Sequence, residues 1–114
     1  MEGVRDAAGA YVAVTALDEL RPGFVSVHEV EGRGVVLARI DDAVTAWDAT
    51  CPHAEFQFGP MRLRRGCELE CPMHGARFDV TDGRVLKGPA TGPLEAIDSR
   101  IENGTVFVRV DWLL

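Results

Sequence analysis

The feature that most constrains this chain is a pair of short cysteine–histidine motifs near its middle. The motifs are Cys51-Pro52-His53 and Cys71-Pro72-Met73-His74, and seventeen residues separate them. Each motif contributes one thiol and one imidazole. That separation fits two loops joined by a short excursion, so both loops can present their side chains toward one point. The fold must therefore bring two loops together.

Two cysteines and two histidines are compatible with more than one kind of site. They can hold tetrahedral zinc, or a [2Fe–2S] cluster with cysteine on one iron and histidine on the other. Zinc-finger ligands usually come as a cysteine pair followed by a histidine pair, whereas each motif here is mixed. The spacing favours the mixed cluster over zinc, and it leaves open that the four residues only pack in a core.

Short strand-like segments surround the motifs. A single helical turn is predicted at residues 17–20 and a Gly- and Pro-rich loop at 86–93, and no window predicts a long helix. Asn103-Gly104 is the strongest hairpin signal. Short strands separated by turn residues predict an all-β sandwich or barrel. The predicted strands cover residues 12–15, 24–30, 35–40, 43–47, 97–101 and 106–110.

Length, charge and cysteine count exclude several classes of protein. A chain of 114 residues predicts one domain. A net charge of −6 opposes general nucleic-acid binding, which needs a basic surface. No segment approaches the ~18–20 apolar residues that cross a bilayer, and no signal peptide is recognisable, so we expect a soluble, cytoplasmic protein without a membrane partner. Three cysteines exclude a complete disulfide framework.

The two motifs and the residues after them resemble those of a known protein family. Cys51-Pro52-His53, followed after seventeen residues by the stretch 71–79, resembles the cluster-binding signature of Rieske-type ferredoxins. The resemblance covers nearly the whole chain and is most specific over residues 51–79. It implies one Rieske domain over 1–114, with an antiparallel β-sandwich or barrel base formed by 1–49 and 81–114. A cluster-binding subdomain of two ligand loops would occupy about 50–80.

The resemblance also implies a ligand set for one [2Fe–2S] cluster. Cys51 and Cys71 would bind the inner iron, and His53 and His74 would bind the outer iron. Backbone amides would approach the cluster at Gly75. The third loop, 87–93, would cover it. The residues expected around the cluster are Gly75, Ala76, Phe78 and Pro89.

Charge counting predicts that such a site is easier to reduce than a cluster held by four cysteines. Two ferric ions, two sulfides and two thiolates sum to zero, because both histidines are neutral donors. Respiratory Rieske proteins carry a disulfide between the loops, but here Phe56 and Met73 occupy its positions. Ala76 and Phe78 replace the hydroxyl residues that donate to cluster sulfur, which leaves the reduced form less stabilised. We therefore expect a midpoint potential near the bottom of the Rieske range, about −150 mV.

The function implied by the resemblance is electron transfer rather than catalysis. The chain would carry single electrons from an NAD(P)H-dependent flavin reductase to a terminal oxygenase, as a monomer in transient complexes. It is not itself an oxygenase, because a non-haem iron site needs two further histidines and only His28 remains. One alternative is a small Rieske-like subunit of an assimilatory nitrite reductase. An alternative of another class is a structural zinc module.

Several conspicuous residues are assigned to structure rather than to the site. We expect His28 to be a surface or half-buried strand residue and Cys67 a small strand residue, and Trp47 and Phe78 to pack in the core. The basic run is expected to be a solvated face, with partner docking as the alternative. It consists of Arg62, Arg64 and Arg65.

Overall fold

A computed structural model describes residues 4–6, 9–52, 56–73, 75–88 and 92–112. The described residues form twelve strands and one turn of 3-10 helix at Leu17–Glu19. The predicted all-β class is confirmed. Among these residues, no helix is long and apolar enough to cross a membrane. The strands are β1 Val4–Asp6, β2 Gly9–Ala16, β3 Phe24–Val30, β4 Arg33–Ile40, β5 Ala43–Asp48, β6 Met61–Arg62, β7 Glu68–Glu70, β8 Arg77–Asp79, β9 Val85–Lys87, β10 Ala96–Ile97, β11 Ser99–Glu102 and β12 Thr105–Val110.

The strands pair into three antiparallel sheets within the described part of the chain. A four-stranded sheet has the order β1-β2-β12-β11, a five-stranded sheet the order β10-β5-β4-β3-β6, and a small sheet the order β7-β8-β9. The small sheet reaches Lys87, past residue 80, and β6 pairs with β3 of the five-stranded sheet. The division into a base and a cluster-binding part at about 50–80 stays a prediction.

The five-stranded sheet is the middle layer, and its two faces meet two separate cores. Val35 and Leu37 of β4 pack with strands of the four-stranded sheet. Val36 and Ala38, on the opposite face of β4, pack with residues of the small sheet. Successive side chains of a strand point to opposite faces, so a strand covered on both faces needs a continuous apolar run. That requirement explains why apolar and polar residues do not alternate along β4.

Two tight turns follow from residues that tolerate positive φ. Glu31 and Gly32 have φ of 48° and 81°, and Asn103 and Gly104 have φ of 51° and 76°. Positive φ at both central residues is the hairpin geometry that matches the twist of the flanking strands. The hairpin predicted at Asn103-Gly104 is confirmed. At the other turn the strand predicted at 35–40 begins two residues early, because β4 starts at Arg33.

Other sequence-based expectations need correction. The strand predicted at 97–101 is wrong as one element, since it breaks at Asp98 and its two parts join different sheets. The loop predicted at 86–93 is wrong at its start, because Leu86 and Lys87 belong to β9. The short strands β1, β6, β7, β8 and β9 lie outside the predicted strand ranges, because two or three residues carry little periodic signal. Trp112 docks on the domain, where its Nε1–H donates to the carbonyl oxygen of Glu31 at 3.1 Å.

Candidate metal centre

Two loops of the structure close in the same way, and each begins with a cysteine. The N–H of Cys51 donates to the carbonyl oxygen of Phe56 at 2.7 Å, and the N–H of Cys71 donates to that of Ala76, also at 2.7 Å. In both loops the closing bond therefore joins residues that are five positions apart. We call these segments, residues 51–56 and 71–76, the first and second cysteine loops.

Both cysteine loops are carried by antiparallel pairs. Below the first loop, the N–H of Phe58 donates to the carbonyl oxygen of Ala49 at 2.7 Å. Below the second loop, Glu70 of β7 faces Arg77 of β8. Each cysteine thus stands at the end of a hydrogen-bonded ladder, which holds its backbone in a defined position.

The cysteines at the start of the loops face inward. Cys51 is 1% exposed and Cys71 is 0% exposed, and both belong to the core between the five-stranded sheet and the small sheet. The proline that follows each of them is exposed. The three cysteines of the chain, all described, form no disulfide. Two buried sulfur donors at equivalent loop positions suit a metal that prefers thiolate ligands.

The expected imidazole ligands cannot be placed in this geometry. His53, His74 and the loop residue Pro89 lie outside the described residues. Among the described residues, no group of three or more histidine, cysteine, aspartate or glutamate side chains converges. The structure therefore brings Cys51 and Cys71 into one core, and the complete ligand set stays a prediction.

An edge-to-face row of aromatic rings connects the first loop to the small sheet. The rings of Phe56 and Phe58 are 6.5 Å apart at 89°, and those of Phe58 and Phe78 are 6.3 Å apart at 82°. Phe78 and Ala76 are fully buried, so core packing is confirmed for Phe78. Neither side chain carries a hydroxyl, and these positions therefore offer no side-chain hydrogen bond to a cluster.

Trp47 lies on β5, the strand that leads to the first loop, and is hydrogen-bonded through Thr45 to Val80, the residue after β8. Its Nε1–H donates to Thr45 Oγ1 at 3.0 Å, and that hydroxyl donates to the carbonyl oxygen of Val80 at 2.7 Å. Gly83 lies against the indole with φ of 84°, and a Cβ there would be 2.6 Å from Cζ3 of Trp47. Core packing is thus confirmed for Trp47, which is 5% exposed.

An ion pair fixes the backbone just before Cys51. Asp48 accepts from Nε of Arg33 at 2.8 Å and from the N–H of Thr50 at 2.7 Å. Burial raises the pKa of Asp48, but the bonds from Thr50 and Arg33 outweigh it, and the net pKa is lowered. Sequence reasoning missed this pair. The spacing of Asp48 and Thr50 suggests an Asx turn, whereas no local signal identifies the distant Arg33.

Charged side chains flank the second loop beside Gly75. This residue has φ of 79°, and a Cβ there would lie 3.6 Å from Glu70 Oε2 and 4.0 Å from Lys87 Nζ. The positive φ explains the glycine. Its N–H donates to the carbonyl oxygen of Cys71 at 2.9 Å, so that amide stabilises the loop itself. Glu70 and Lys87 were not singled out from the sequence, because they become neighbours only through the pairing of β7, β8 and β9.

The remaining conspicuous residues lie away from the cysteine loops. His28 is half-buried, its Nε2 lies 2.8 Å from Ser26 Oγ, and burial lowers its pKa. Cys67 precedes β7, so its assignment to a strand is wrong by one residue. Burial, followed by the charges of Asp79 and Glu68, raises the pKa of the Cys67 thiol.

Comparison with known proteins agrees with this geometry. The family model described as Rieske [2Fe–2S] domain matches residues 10–98. The ferredoxin component of the naphthalene 1,2-dioxygenase/salicylate 5-hydroxylase systems of Ralstonia sp. is 30% identical over 101 residues, which cover 89% of this chain and 96% of that protein.

Two solved structures are similar over most of their length. The ferredoxin of carbazole 1,9a-dioxygenase from Nocardioides aromaticivorans IC177 matches with a TM-score of 0.78 and 33% identity, covering 87% of this chain and 96% of that one. A putative NADH-dependent nitrite reductase small subunit from Mycobacterium tuberculosis matches with a TM-score of 0.73 and 25% identity, covering 90% and 96%.

The layered all-β fold and the paired cysteine loops define an iron–sulfur domain of the Rieske type. With the family match over 10–98, the chain belongs to the Rieske [2Fe–2S] domain family. The predicted resemblance is confirmed, and an iron–sulfur cluster is the group that this family carries. The Ralstonia and Nocardioides relatives are named as ferredoxins of oxygenase systems rather than as catalytic subunits, in agreement with a chain that transfers electrons and is not an enzyme.

Proposed function

We propose that this chain carries single electrons from an NAD(P)H-dependent flavin reductase to a terminal oxygenase. The observation that carries the proposal is the pair of buried cysteines, Cys51 and Cys71, at equivalent positions of two loops that close in the same way. The oxygenase as recipient is supported by the names of the ferredoxin relatives. The reductase as donor rests on the resemblance to stand-alone Rieske ferredoxins.

Four residues would hold the cluster. Cys51 and Cys71 would supply thiolates to a [2Fe–2S] cluster, and His53 and His74 would supply imidazole nitrogens. A [2Fe–2S] cluster, when bound, accepts and releases one electron. The donor set fits, because the described cysteines face the core and each motif holds its histidine two or three residues further on. Gly75, Ala76 and Phe78 belong to the second loop and its strand, and Pro89 is expected near the cluster from the resemblance alone.

The described residues would keep this site rigid and dry on its inner side. Ala76 and Phe78 are fully buried and exclude water beneath the second loop. Outside, Pro52, Pro72 and Met73 are exposed, so a partner can approach the loops from solvent. Fixed ligands and an exposed outer edge favour electron transfer, because the protein then reorganises little. Since no hydroxyl stands at Ala76 or Phe78, we propose a low midpoint potential, about −150 mV.

The setting of the carrier belongs to the same proposal. We propose that it acts as a monomer in transient complexes, as one Rieske domain whose cluster-binding part is built around residues 50–80. We also propose a cytoplasmic location. Both rest on the resemblance and on the expected NAD(P)H-dependent donor. Three cysteines without a disulfide are consistent with a reducing compartment.

A second candidate is the small subunit of a nitrite reductase. It is favoured by the similarity to the Mycobacterium tuberculosis protein, which nevertheless has lower identity than the ferredoxin structure. The two candidates differ in their partner. A carrier reduces an oxygenase as a separate, dissociating component, whereas a subunit co-purifies with a reductase core. A structural zinc module, the remaining alternative, is not supported by the family match.

The first test is aerobic purification followed by a visible spectrum and by iron and sulfide analysis. We expect a brown protein with about two irons and two sulfides per chain. Cys71→Ser is expected to abolish the colour, and Cys67→Ser is the matched control that keeps it. Colourless protein that holds one zinc, or equal colour in both variants, would contradict the proposal.

A further inference from the structure

Three arginines line a groove that the electron-transfer site does not use. The groove has a volume of about 610 Å³. Phe24 contributes apolar surface to it, the buried Leu63 lies beneath it, and Pro22 also lines it. The arginines are Arg62, Arg64 and Arg65, and all three are exposed. We call this feature the arginine groove.

The charge of the arginine groove is only partly compensated. Arg64 lies 3.1 Å from Glu70, and no described carboxylate lies within ion-pair distance of Arg62 or Arg65. A further cation, the guanidinium of Arg21, stacks on the Phe24 ring at 4.4 Å. Asp41 and Arg65 both line an adjoining depression. This positive patch stands on a chain whose net charge is −6.

Arg62 and Arg65 of the arginine groove lie away from the cysteine loops, whereas Arg64 reaches toward the second loop through its ion pair with Glu70, which flanks Gly75. The turn 64–67 leads into the start of β7, whereas the second loop begins where β7 ends, at Cys71. Residues 67 and 71 are four positions apart, which corresponds to roughly 13 Å of strand. On the five-stranded sheet, Phe24 begins β3, while the first loop is tied to the opposite end through the N–H of Ala49 and the carbonyl oxygen of Gly34. A segment bound at Arg62 and Arg65 therefore leaves the loops accessible.

We propose that the arginine groove binds an acidic, carboxylate-rich segment of a partner protein. Guanidinium groups bind carboxylates through paired hydrogen bonds, and the partly exposed Phe24 can receive a neighbouring apolar side chain. The acidic faces of the chain carry the same carboxylate groups, so a second copy of the chain is the competing occupant. A contact outside the cysteine loops raises the local concentration of a redox partner while the loops stay free to exchange. That last role rests on the proposed electron-transfer function; the binding itself does not.

The test uses the holoprotein and a fluorescein-labelled oligoglutamate peptide, with fluorescence anisotropy at low salt. The double variant Arg62→Gln/Arg65→Gln is compared with Arg84→Gln/Arg100→Gln, which removes the same charge from exposed arginines elsewhere. We expect affinity to fall about tenfold in the groove variant, or ~1.4 kcal/mol for two exposed contacts, and less than about twofold in the control. Equal losses in both variants would overturn the proposal, because the peptide would then respond only to net charge.

Amide NMR shifts on peptide addition locate the contact. We expect changes at Gly23 and residues 62–66, and none at the amides of 49–51; the reverse pattern would overturn the assignment. Inorganic phosphate that displaces the peptide at equal concentration would instead indicate a small-anion site. Dimerisation that only the groove variant abolishes would indicate a second copy as occupant. Both results overturn the proposal. The visible spectrum, recorded on each sample, reports separately on the cluster, so a failed electron-transfer proposal and a failed groove proposal are distinguishable.

Discussion

Gly83 supports Trp47, and replacing it should unsettle the base of the first cysteine loop. In Gly83→Ala the new Cβ would lie 2.6 Å from Trp47 Cζ3 and 3.0 Å from Cη2. Contacts this short cannot persist, so the indole or the turn must move. Trp47 is 5% exposed and belongs to the core that also holds Cys51. The carbonyl oxygen of Gly83 accepts from the N–H of Leu94 at 2.9 Å, so a shift of the turn also reaches the segment that leads to β10.

The cost has two separable parts. Alanine at φ of 84° is strained by about 1–2 kcal/mol, and overpacking a filled core adds about 1–3 kcal/mol. Gly104→Ala is the matched control, because Gly104 has φ of 76° and no atom within 4 Å of the new Cβ. The difference between the two variants isolates the clash with Trp47. For a domain of this size, about 1–3 kcal/mol corresponds to roughly 4–12 °C in melting temperature.

The assay is thermal unfolding of the holoprotein, followed by circular dichroism at one scan rate, since loss of an iron–sulfur cluster makes unfolding irreversible. The melting temperature of Gly83→Ala is expected to lie roughly 4–12 °C below that of Gly104→Ala. Its visible absorbance is also expected to disappear at a lower temperature. If the two variants melt together, the packing of Gly83 under Trp47 does not stabilise the domain, and the reasoning is refuted.

Three further predictions concern side chains around the site. Arg33→Gln removes the cationic partner of Asp48, and we expect the visible absorbance to bleach about fivefold faster in mild urea, for ~1 kcal/mol, whereas Arg100→Gln should leave the rate unchanged. Burial lowers the pKa of His28, so the unfolded chain binds the proton more readily and stability falls as pH drops below about 6.5; in His28→Gln the fall in melting temperature from about pH 7.5 to about pH 5.5 should be smaller, and an equal fall would refute this. Cys67→Ser should retain iron and sulfide in full, because Cys67 lies outside both cysteine loops, and metal loss in this variant would contradict the assignment.

The strands and turns that could be predicted are those with a strong local signal. Phe24–Val30 has a clear apolar pattern, and its predicted bounds agree with β3. Asn103-Gly104 was identified because few residue pairs accept positive φ at both positions. The split at Asp98 could not be predicted, because the change of sheet depends on which strand each half meets. Similarly, Leu86 and Lys87 join β9 only because β8 lies beside them.

In the candidate site, too, the residues with a local sequence signal could be predicted and those that depend on distant contacts could not. The cysteines and histidines stand out by type and spacing, so the family could be identified from the sequence alone. The contacts that hold the loops in place are distant in sequence. Arg33 of β4 bonds Asp48 of the neighbouring strand β5, and Gly83, in the turn between β8 and β9, packs against Trp47 of the five-stranded sheet. Nothing in a local window specifies such contacts. The arginine run was visible in the sequence, but its neighbours Phe24 and Pro22 become apparent only from the fold.

The most direct test of the central claim is electron paramagnetic resonance on protein labelled with ¹⁵N-histidine, titrated with dithionite. The account predicts no signal in the oxidised protein and full development of the signal after one electron per chain. It also predicts coupling of that signal to two histidine nitrogens, from His53 and His74. A reduced cluster without nitrogen coupling would contradict the mixed cysteine–histidine ligand set, and protein that takes up no electron would contradict the carrier function itself.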